Sequence, residues 1–171
     1  MIRTVYKSKV GQDFLISPHF TLSEMACKDG SDKVLYNTEL MAMLEKLRAY
    51  GGFTIRINSG YRTPAYNKRV RGAANSQHLK GTAADIVVKK DGKTVSGKLA
   101  CCLCQSLGFD GVAYISPSAV HLDVARRTYR GDERKGYSNN VGGDFYKYFG
   151  ISKAQVEALK VKKEEPKEGR K

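Results

Sequence analysis

The stretch SQHLKGTAAD at residues 76–85, followed downstream by VHLD at residues 120–123, carries the most information about the fold and chemistry of this chain. His78 and Asp85 are seven positions apart, a spacing that fits neither successive turns of one helix nor a single strand. Gly81 therefore predicts a bend between them, with Asp85 on the strand that follows. We expect the two side chains to converge from a loop and a strand.

A second histidine, His121, lies in the downstream segment and would complete a set of three ligands with His78 and Asp85. Imidazole nitrogen and carboxylate oxygen are ligands that zinc accepts, and three protein ligands leave a fourth tetrahedral position open for water. Taken singly, each histidine has an ordinary interpretation as a core or surface residue. The combined pattern favours a zinc site, and the open position makes catalysis feasible.

The composition is that of one basic domain. The chain has 171 residues, 41% of them hydrophobic, and a formal net charge of +13. Such a charge favours polyanionic partners, such as anionic cell-wall polymers or nucleic acid, although a solubilising surface is the simpler interpretation. Basic residues cluster at residues 68–71 and 126–130 without any recognisable nucleic-acid-binding motif, so nucleic acid is not favoured as the partner.

The chain has four cysteines, and three of them lie within residues 101–104. This spacing matches neither a disulfide framework nor a common zinc motif, so we interpret them as reduced, buried thiols. Reduced thiols predict synthesis in the cytoplasm. The first residues lack the apolar core of a secretory signal and the chain lacks a long apolar run, so we expect neither a signal peptide nor a transmembrane segment.

Hydrophobic periodicity predicts alternating helices and strands. Helices are predicted after the capping box of Thr21 and Glu24, over residues 38–50 between a Thr38 cap and Gly51, and over residues 96–107. Strands are predicted over residues 53–58, 83–88, 112–115 and 119–124, the last two as a hairpin. The fold class is therefore α+β, with a small antiparallel sheet of about four strands and helices packed to one side.

The C-terminal part gives a weaker pattern. A helix capped at Ser152 is predicted within residues 146–159, and the charged residues 160–171 are typical of a disordered tail. We expect a single domain over residues 1–150, followed at 151–171 by a helix remnant and the tail.

The motif Ser-x-His-x-x-Gly-x-Ala-x-Asp, with a Val-His-x-Asp segment downstream, resembles the M15 family of zinc D-Ala-D-Ala carboxypeptidases and related peptidoglycan peptidases. Its fixed positions are Ser76, His78, Gly81, Ala83 and Asp85. The likeness extends to INSGYR at residues 57–62 and FTLSE at residues 20–24, and it covers roughly residues 17 to 125. The resemblance implies a fold of the hedgehog and DD-peptidase type.

The resemblance also implies a zinc ion held by His78, Asp85 and His121, and hydrolysis of a peptide bond in bacterial cell-wall stem peptides. Zinc would polarise the scissile carbonyl and activate a water. Arg62 matches the family's arginine and would hold the substrate carbonyl or the developing oxyanion. The alternative for Arg62 is a structural fork that bonds the loop backbone.

Three further residues are candidates for substrate binding. Ser76 and Gln77 precede the first ligand closely enough to line the cleft, where either could bond the substrate backbone. Tyr61 is a third candidate, although aromatic residues near a sheet edge more often serve packing.

The sequence departs from the family at the general base. Several members carry an acid three residues before the last zinc histidine, where this chain has Ser118. Asp123 is the best replacement, because residues two apart on a strand point to the same face and would place its carboxylate beside His121. The alternative is that Asp123 orients a ligand or the loop of Tyr61 and Arg62.

The first functional hypothesis is a zinc-dependent peptidoglycan peptidase, either a carboxypeptidase or an endopeptidase. A basic wall hydrolase without a leader would suit a phage or prophage endolysin, which reaches the wall only after release or lysis. The alternative is a non-catalytic zinc-containing module for cell-wall binding or virion structure, an interpretation that Ser118 favours.

Overall fold

The computed structural model describes residues 1–134 and 140–161. In chain order its strands are β1 (Ile2–Tyr6), β2 (Leu15–Ser17), β3 (Phe20–Thr21), β4 (Lys33–Asn37), β5 (Thr54–Ser59), β6 (Ala83–Lys90), β7 (Lys93–Thr94), β8 (Gly111–Ser116), β9 (Ala119–Asp123) and β10 (Tyr129–Asp132). Its α-helices are α1 (Lys7–Val10), α2 (Leu22–Met25), α3 (Thr38–Gly51), α4 (Pro64–Arg69), α5 (Gly97–Leu107), α6 (Phe145–Phe149) and α7 (Lys153–Glu157). A 3₁₀ helix spans Gln77–Lys80.

The main sheet has the strand order β10-β8-β9-β6-β5, and β7 pairs with the far end of β6. The four strands β8, β9, β6 and β5 are antiparallel, which confirms the predicted α+β class and its antiparallel core. β10 was not predicted, and it runs parallel to β8 at the edge of the sheet. Two small sheets, β1 with β4 and β2 with β3, complete the strand pairings.

The two faces of the main sheet have different chemistry. Since side chains alternate along a strand, Ala84 and Leu122 share one face, and this face packs into the hydrophobic core with α5. The opposite face carries Asp85, His121 and Asp123 on neighbouring strands. Because successive side chains point to opposite faces of the sheet, the core lies on one face and the polar side chains of the candidate site lie on the other.

The predicted helices are present, with one corrected cap. α3 begins after Asn37, whose side-chain oxygen accepts the backbone N–H of Glu39 at 2.8 Å, so the prediction of Thr38 as the cap is wrong by one residue. The last helical residue is Gly51, and the left-handed residue that caps the helix is Gly52 rather than the predicted Gly51. α5 begins after Ser96, which caps it, and ends before its left-handed cap Gly108, within one residue of the predicted range.

The predicted C-terminal helix is two short helices, α6 and α7. Gly150, with φ +66°, ends α6, and Ser152 caps α7 as predicted. Phe145 and Val156 are buried in the main core, so the packed chain continues past residue 150. Most of the predicted tail lies outside the described residues, because the description ends at residue 161.

All four cysteines are buried and carry free thiols, as predicted. Burial raises the pKa of the thiols of Cys101, Cys102 and Cys104, that of Cys102 to about 12. They behave as small apolar side chains in the core. Among the described residues, no helix has the length and apolar character needed to cross a membrane.

Candidate metal and catalytic site

His78 is held in the 3₁₀ helix between β5 and β6. Ser76 caps this helix, and Gly81 ends it at φ +67° against the backbone of Leu35, where a Cβ would lie 2.5 Å from the carbonyl oxygen. The Nδ1–H of His78 donates to the carbonyl of Gly60 at 2.6 Å. This bond fixes the tautomer and leaves Nε2 with the lone pair that a metal ligand needs.

Asp85 and His121 are direct cross-strand neighbours on β6 and β9. Oδ1 of Asp85 lies 2.9 Å from Nδ1 of His121 and 3.2 Å from Nε2 of His78, and the two imidazole nitrogens are 3.2 Å apart. One ligand atom from each side chain therefore faces a common point. The structure brings together all three residues that the sequence predicts as metal ligands.

Asp85 and His121 shift each other's pKa. Burial alone would raise the pKa of Asp85, but its close contacts with His121 and His78 hold it well below its usual range. Burial alone would lower the pKa of His121, but hydrogen bonds to Asp123 and Asp85 raise it to about 9. Without a metal, His121 therefore carries a proton at neutral pH beside an ionised Asp85.

Arg62 contacts the ligand Asp85 directly. Its Nη2 donates to Oδ2 of Asp85 at 2.6 Å, and its Nε–H donates to Oγ of Ser59 at 2.9 Å. Oδ1 of Asp85 is thus left to face the histidines. Arg62 also lines the adjacent pocket, where the sequence predicts contact with the substrate.

Asp123 lies on the other side of His121 from the common point. Its Oδ2 is 3.5 Å from Nε2 of His121, its carboxylate is fully buried, and Arg127 and the backbone N–H of Ala125 donate to it. Gly111, on the neighbouring strand β8, lies opposite Asp123, and a Cβ at Gly111 would overlap the carboxylate. This placement favours the alternative in which Asp123 orients His121.

A pocket of about 370 Å³ opens beside the three ligand residues. Ser76 lines this pocket, and its role in substrate binding stays a prediction. Gln77 instead accepts the hydroxyl of Thr82 at 3.0 Å through its side-chain oxygen, and Tyr61 is 6% exposed within the hydrophobic core. Substrate binding by Gln77 and Tyr61 stays a prediction, and their side chains serve local structure here.

Glu133 is a candidate functional residue that the sequence reasoning missed. It follows β10 directly, its backbone N–H donates to the carbonyl of Tyr114 at 2.9 Å, and it lines the pocket together with His121 and Asp85. Partial desolvation beside the pocket raises the pKa of its carboxyl group, although the residue is exposed; the positive charge of His121 opposes this rise and the charge of Asp85 reinforces it. Besides the candidate ligand Asp85, Glu133 is the acidic residue among those that line the pocket.

The signal for Glu133 was weak because β10 has no apolar periodicity. Its buried residues are Arg130, Gly131 and Asp132, and none of them has an apolar side chain that a hydrophobic pattern would reveal. Asp132 forms an ion pair with Arg134 and accepts the hydroxyl of Tyr148 at 3.0 Å. Only these polar contacts, and the parallel pairing with β8, show where Glu133 lies.

The residues present fit a bound metal ion. Ligand atoms of His78, Asp85 and His121 all lie within 4.8 Å of one another, Asp85 is ionised, and the hydrogen bond of His78 to Gly60 leaves its Nε2 free to coordinate. Two imidazole nitrogens with one carboxylate oxygen are a donor set suited to a divalent transition metal.

A comparison with curated proteins finds no match. A comparison with protein families finds the Peptidase M15 family, whose model matches residues 18–123. The matched region contains α3, the strands from β3 to β9 and all three candidate metal ligands, and it ends ten residues before Glu133. A match over more than half of the chain, with the ligand residues assembled as described, shows that this chain belongs to the Peptidase M15 family and has a peptidase site able to hold a metal ion.

Proposed function

We propose that the protein is a zinc-dependent peptidase that hydrolyses a peptide bond in bacterial peptidoglycan stem peptides. The observation that carries the proposal is the convergence of His78, Asp85 and His121 beside an open pocket in a chain of the Peptidase M15 family. The resemblance of the sequence to D-Ala-D-Ala carboxypeptidases supports the choice of substrate class.

Zinc is the metal that suits these ligands. Two histidines and one carboxylate form the ligand set of several catalytic zinc sites, and three protein ligands leave one position open. When bound, zinc would supply a Lewis acid for the scissile carbonyl and would lower the pKa of a water. The protein contributes the orientation of the ligands, through the hydrogen bond from His78 to Gly60 and the contacts of Arg62 and Asp123.

Proton transfer needs a carboxylate that faces the reacting atoms. We assign this role to Glu133, because it lines the pocket and its raised pKa favours accepting a proton from water and returning it to the leaving amine. Asp123 was the candidate from the sequence, but its carboxylate contacts Nε2 of His121 on the side away from the pocket. In this proposal Asp123 is a positioning residue.

Arg62 has a second role in this proposal. One edge of its guanidinium holds Asp85 and Ser59, and the pocket side can donate to the substrate carbonyl as negative charge develops there. Its planar fork makes both contacts with one side chain, which a lysine could not do.

The proposal that the enzyme acts on the cell wall rests on its family and on its net charge. A net charge of +13 would help the protein adhere to phosphate-rich wall polymers, and salt would weaken that attraction. An endolysin that is released at lysis is one setting in which such an enzyme would act.

The test is an assay of released amines or peptides from purified peptidoglycan, with zinc and with a chelator. We expect chelator-sensitive release, and we expect His121→Ala to abolish it, while His19→Ala, at an exposed histidine outside the site, retains it. Absence of release from wall material of several chemical types, with metal bound in stoichiometric amount, would favour the non-catalytic wall-binding module instead.

A further inference from the structure

We propose that Arg71 binds the C-terminal carboxylate of the substrate and thereby directs the enzyme to the end of the stem peptide, as a carboxypeptidase. The inference rests on the proposed function, because it assigns a substrate contact within the same pocket. It concerns a residue for which the sequence offered only its membership of a basic cluster.

The first observation is the charge of the pocket. Arg62 and Arg71 are the arginines that line the pocket, and Arg62 already donates hydrogen bonds to Asp85 and Ser59. The guanidinium of Arg71 has no hydrogen-bond or ion-pair partner among residues 1–134 and 140–161. Arg71 is therefore the cation of this pocket that is available to an anionic ligand.

The second observation is the backbone of Arg71. Its φ is +56°, and it ends α4 in a Schellman turn, in which its N–H donates to the carbonyl of Lys68 and the N–H of Gly72 donates to that of Asn67. Glycine is the usual residue at this position, because a side chain there is strained by about 1 kcal/mol. An unpartnered arginine at such a position suggests a function outside the folding of the turn.

The third observation is the position of Arg71 across the sheet. Asp85 and His121 lie on the central strands β6 and β9, and Glu133 follows β10 at one edge. Arg71 lies in the connection between β5, the strand at the other edge, and β6. The residues that line the pocket thus include both the carboxylate of Glu133 and the free cation of Arg71.

The fourth observation is the apolar surface beside this cation. Val70, 44% exposed, and Ala73 line the same pocket and are close to Arg71 in the chain. Their apolar side chains suit a small apolar substituent, such as the methyl group of alanine. The pocket volume of about 370 Å³ is at the small end of ligand sites and suits a chain end.

The test compares two peptides, N-acetyl-L-Lys-D-Ala-D-Ala with a free C-terminal carboxylate and the same peptide as its C-terminal carboxamide. We expect the wild-type enzyme to cleave the acid with a kcat/KM at least about tenfold higher, as a charge-assisted hydrogen bond would give. Arg71→Gly should raise KM for the acid by about the same factor, change kcat little and leave the amide unaffected. Equal cleavage of the two peptides by the wild type would overturn the proposal.

Arg126→Gly is the matched control. Arg126 is also an exposed arginine in the left-handed region, with φ +55°, but it lies outside this pocket. Both substitutions relieve the same backbone strain, so we expect both variants to fold, and only Arg71→Gly to lose the preference for the acid. Loss of the preference in both variants would show a general charge effect and overturn the proposal.

A third peptide distinguishes the source of the carboxylate. It has an amidated C-terminus and carries its one carboxylate on a γ-linked D-glutamate within the chain. Cleavage that is insensitive to Arg71→Gly supports recognition of the chain end. Cleavage that falls with Arg71→Gly assigns Arg71 to an internal carboxylate and overturns the assignment to the chain end.

Binding without turnover separates this inference from the proposed function. Calorimetric titration of chelator-treated protein with D-Ala-D-Ala should show affinity that falls about tenfold in Arg71→Gly and is unchanged in Arg126→Gly. If no peptide is cleaved but this difference is observed, the proposed function fails and the carboxylate site stands. If cleavage occurs and the difference is absent, the function stands and the carboxylate site fails.

Discussion

Oδ2 of Asp123 lies 3.5 Å from Nε2 of His121, while Nδ1 of the same ring lies 2.9 Å from Oδ1 of Asp85. The two carboxylates thus contact opposite edges of one imidazole, and only the Asp85 edge faces His78. Asp85 and Asp123 are close in the sheet, but they therefore have different roles. In the proposed site Asp85 is a metal ligand, and Asp123 holds the ligand His121 in place.

The first prediction separates Asp123 from Glu133. Asp123→Asn should weaken zinc binding by about 10- to 100-fold, because it removes the carboxylate that orients His121, and excess zinc should restore most of the activity. Glu133→Gln should retain zinc but lower kcat by about 100-fold or more, because it removes the proton acceptor. Zinc content and kcat are measured on the same preparations. Full zinc affinity with lost turnover in Asp123→Asn would instead identify Asp123 as the base.

The second prediction concerns Gly111. A methyl group at this position would overlap the carboxylate of Asp123, which is fully buried against β8. Gly111→Ala should therefore displace Asp123, lower the free energy of unfolding by about 1–3 kcal/mol and weaken zinc binding. Thermal unfolding and a zinc competition titration measure the two effects, with Ser118→Ala at the exposed hairpin turn as the control. A variant with unchanged zinc affinity would refute the role assigned to Asp123.

The third prediction concerns pH in the metal-free protein. The pKa of His121 is raised from 6.5 to about 9, so protonated His121 stabilises the fold fully below about pH 6.5 and this contribution is lost as pH rises through about 9. The melting temperature of chelator-treated protein should therefore fall over this interval. His19→Asn should keep the trend and His121→Asn should lose it. With zinc bound the trend should weaken or reverse, since zinc displaces the proton and binds better at high pH.

The fourth prediction concerns Arg62. Arg62→Lys keeps the charge but cannot reach Ser59 and Asp85 with one planar group. We expect weaker zinc binding and a kcat reduced by about tenfold or more, because Asp85 is held less firmly and a donor to the substrate is lost. Arg56→Lys, on the exposed face of β5, is the matched control. Equal kcat in the two variants would leave Arg62 with a purely structural role.

The sequence predicted most of the fold, because its hydrophobic periods are regular. The α3 and α5 helices and the β5, β6, β8 and β9 strands have apolar faces that repeat at helix or strand spacing, and the structure confirms them within a few residues. The strands β1 and β4 escaped prediction, since β1 is mostly exposed and lacks an apolar face. β10 escaped because its buried residues, Arg130, Gly131 and Asp132, include no apolar side chain.

The sequence by itself determined the set of candidate metal ligands, because His78, Asp85 and His121 have the chemistry of a metal site and their spacing predicts a turn and two strands. Only the tertiary structure decided what surrounds them. Glu133 reaches the pocket through the parallel pairing of β10 with β8, and Asp123 lies behind His121 through the register of β9. Registers and parallel pairings depend on contacts between distant parts of the chain, which a local pattern does not encode.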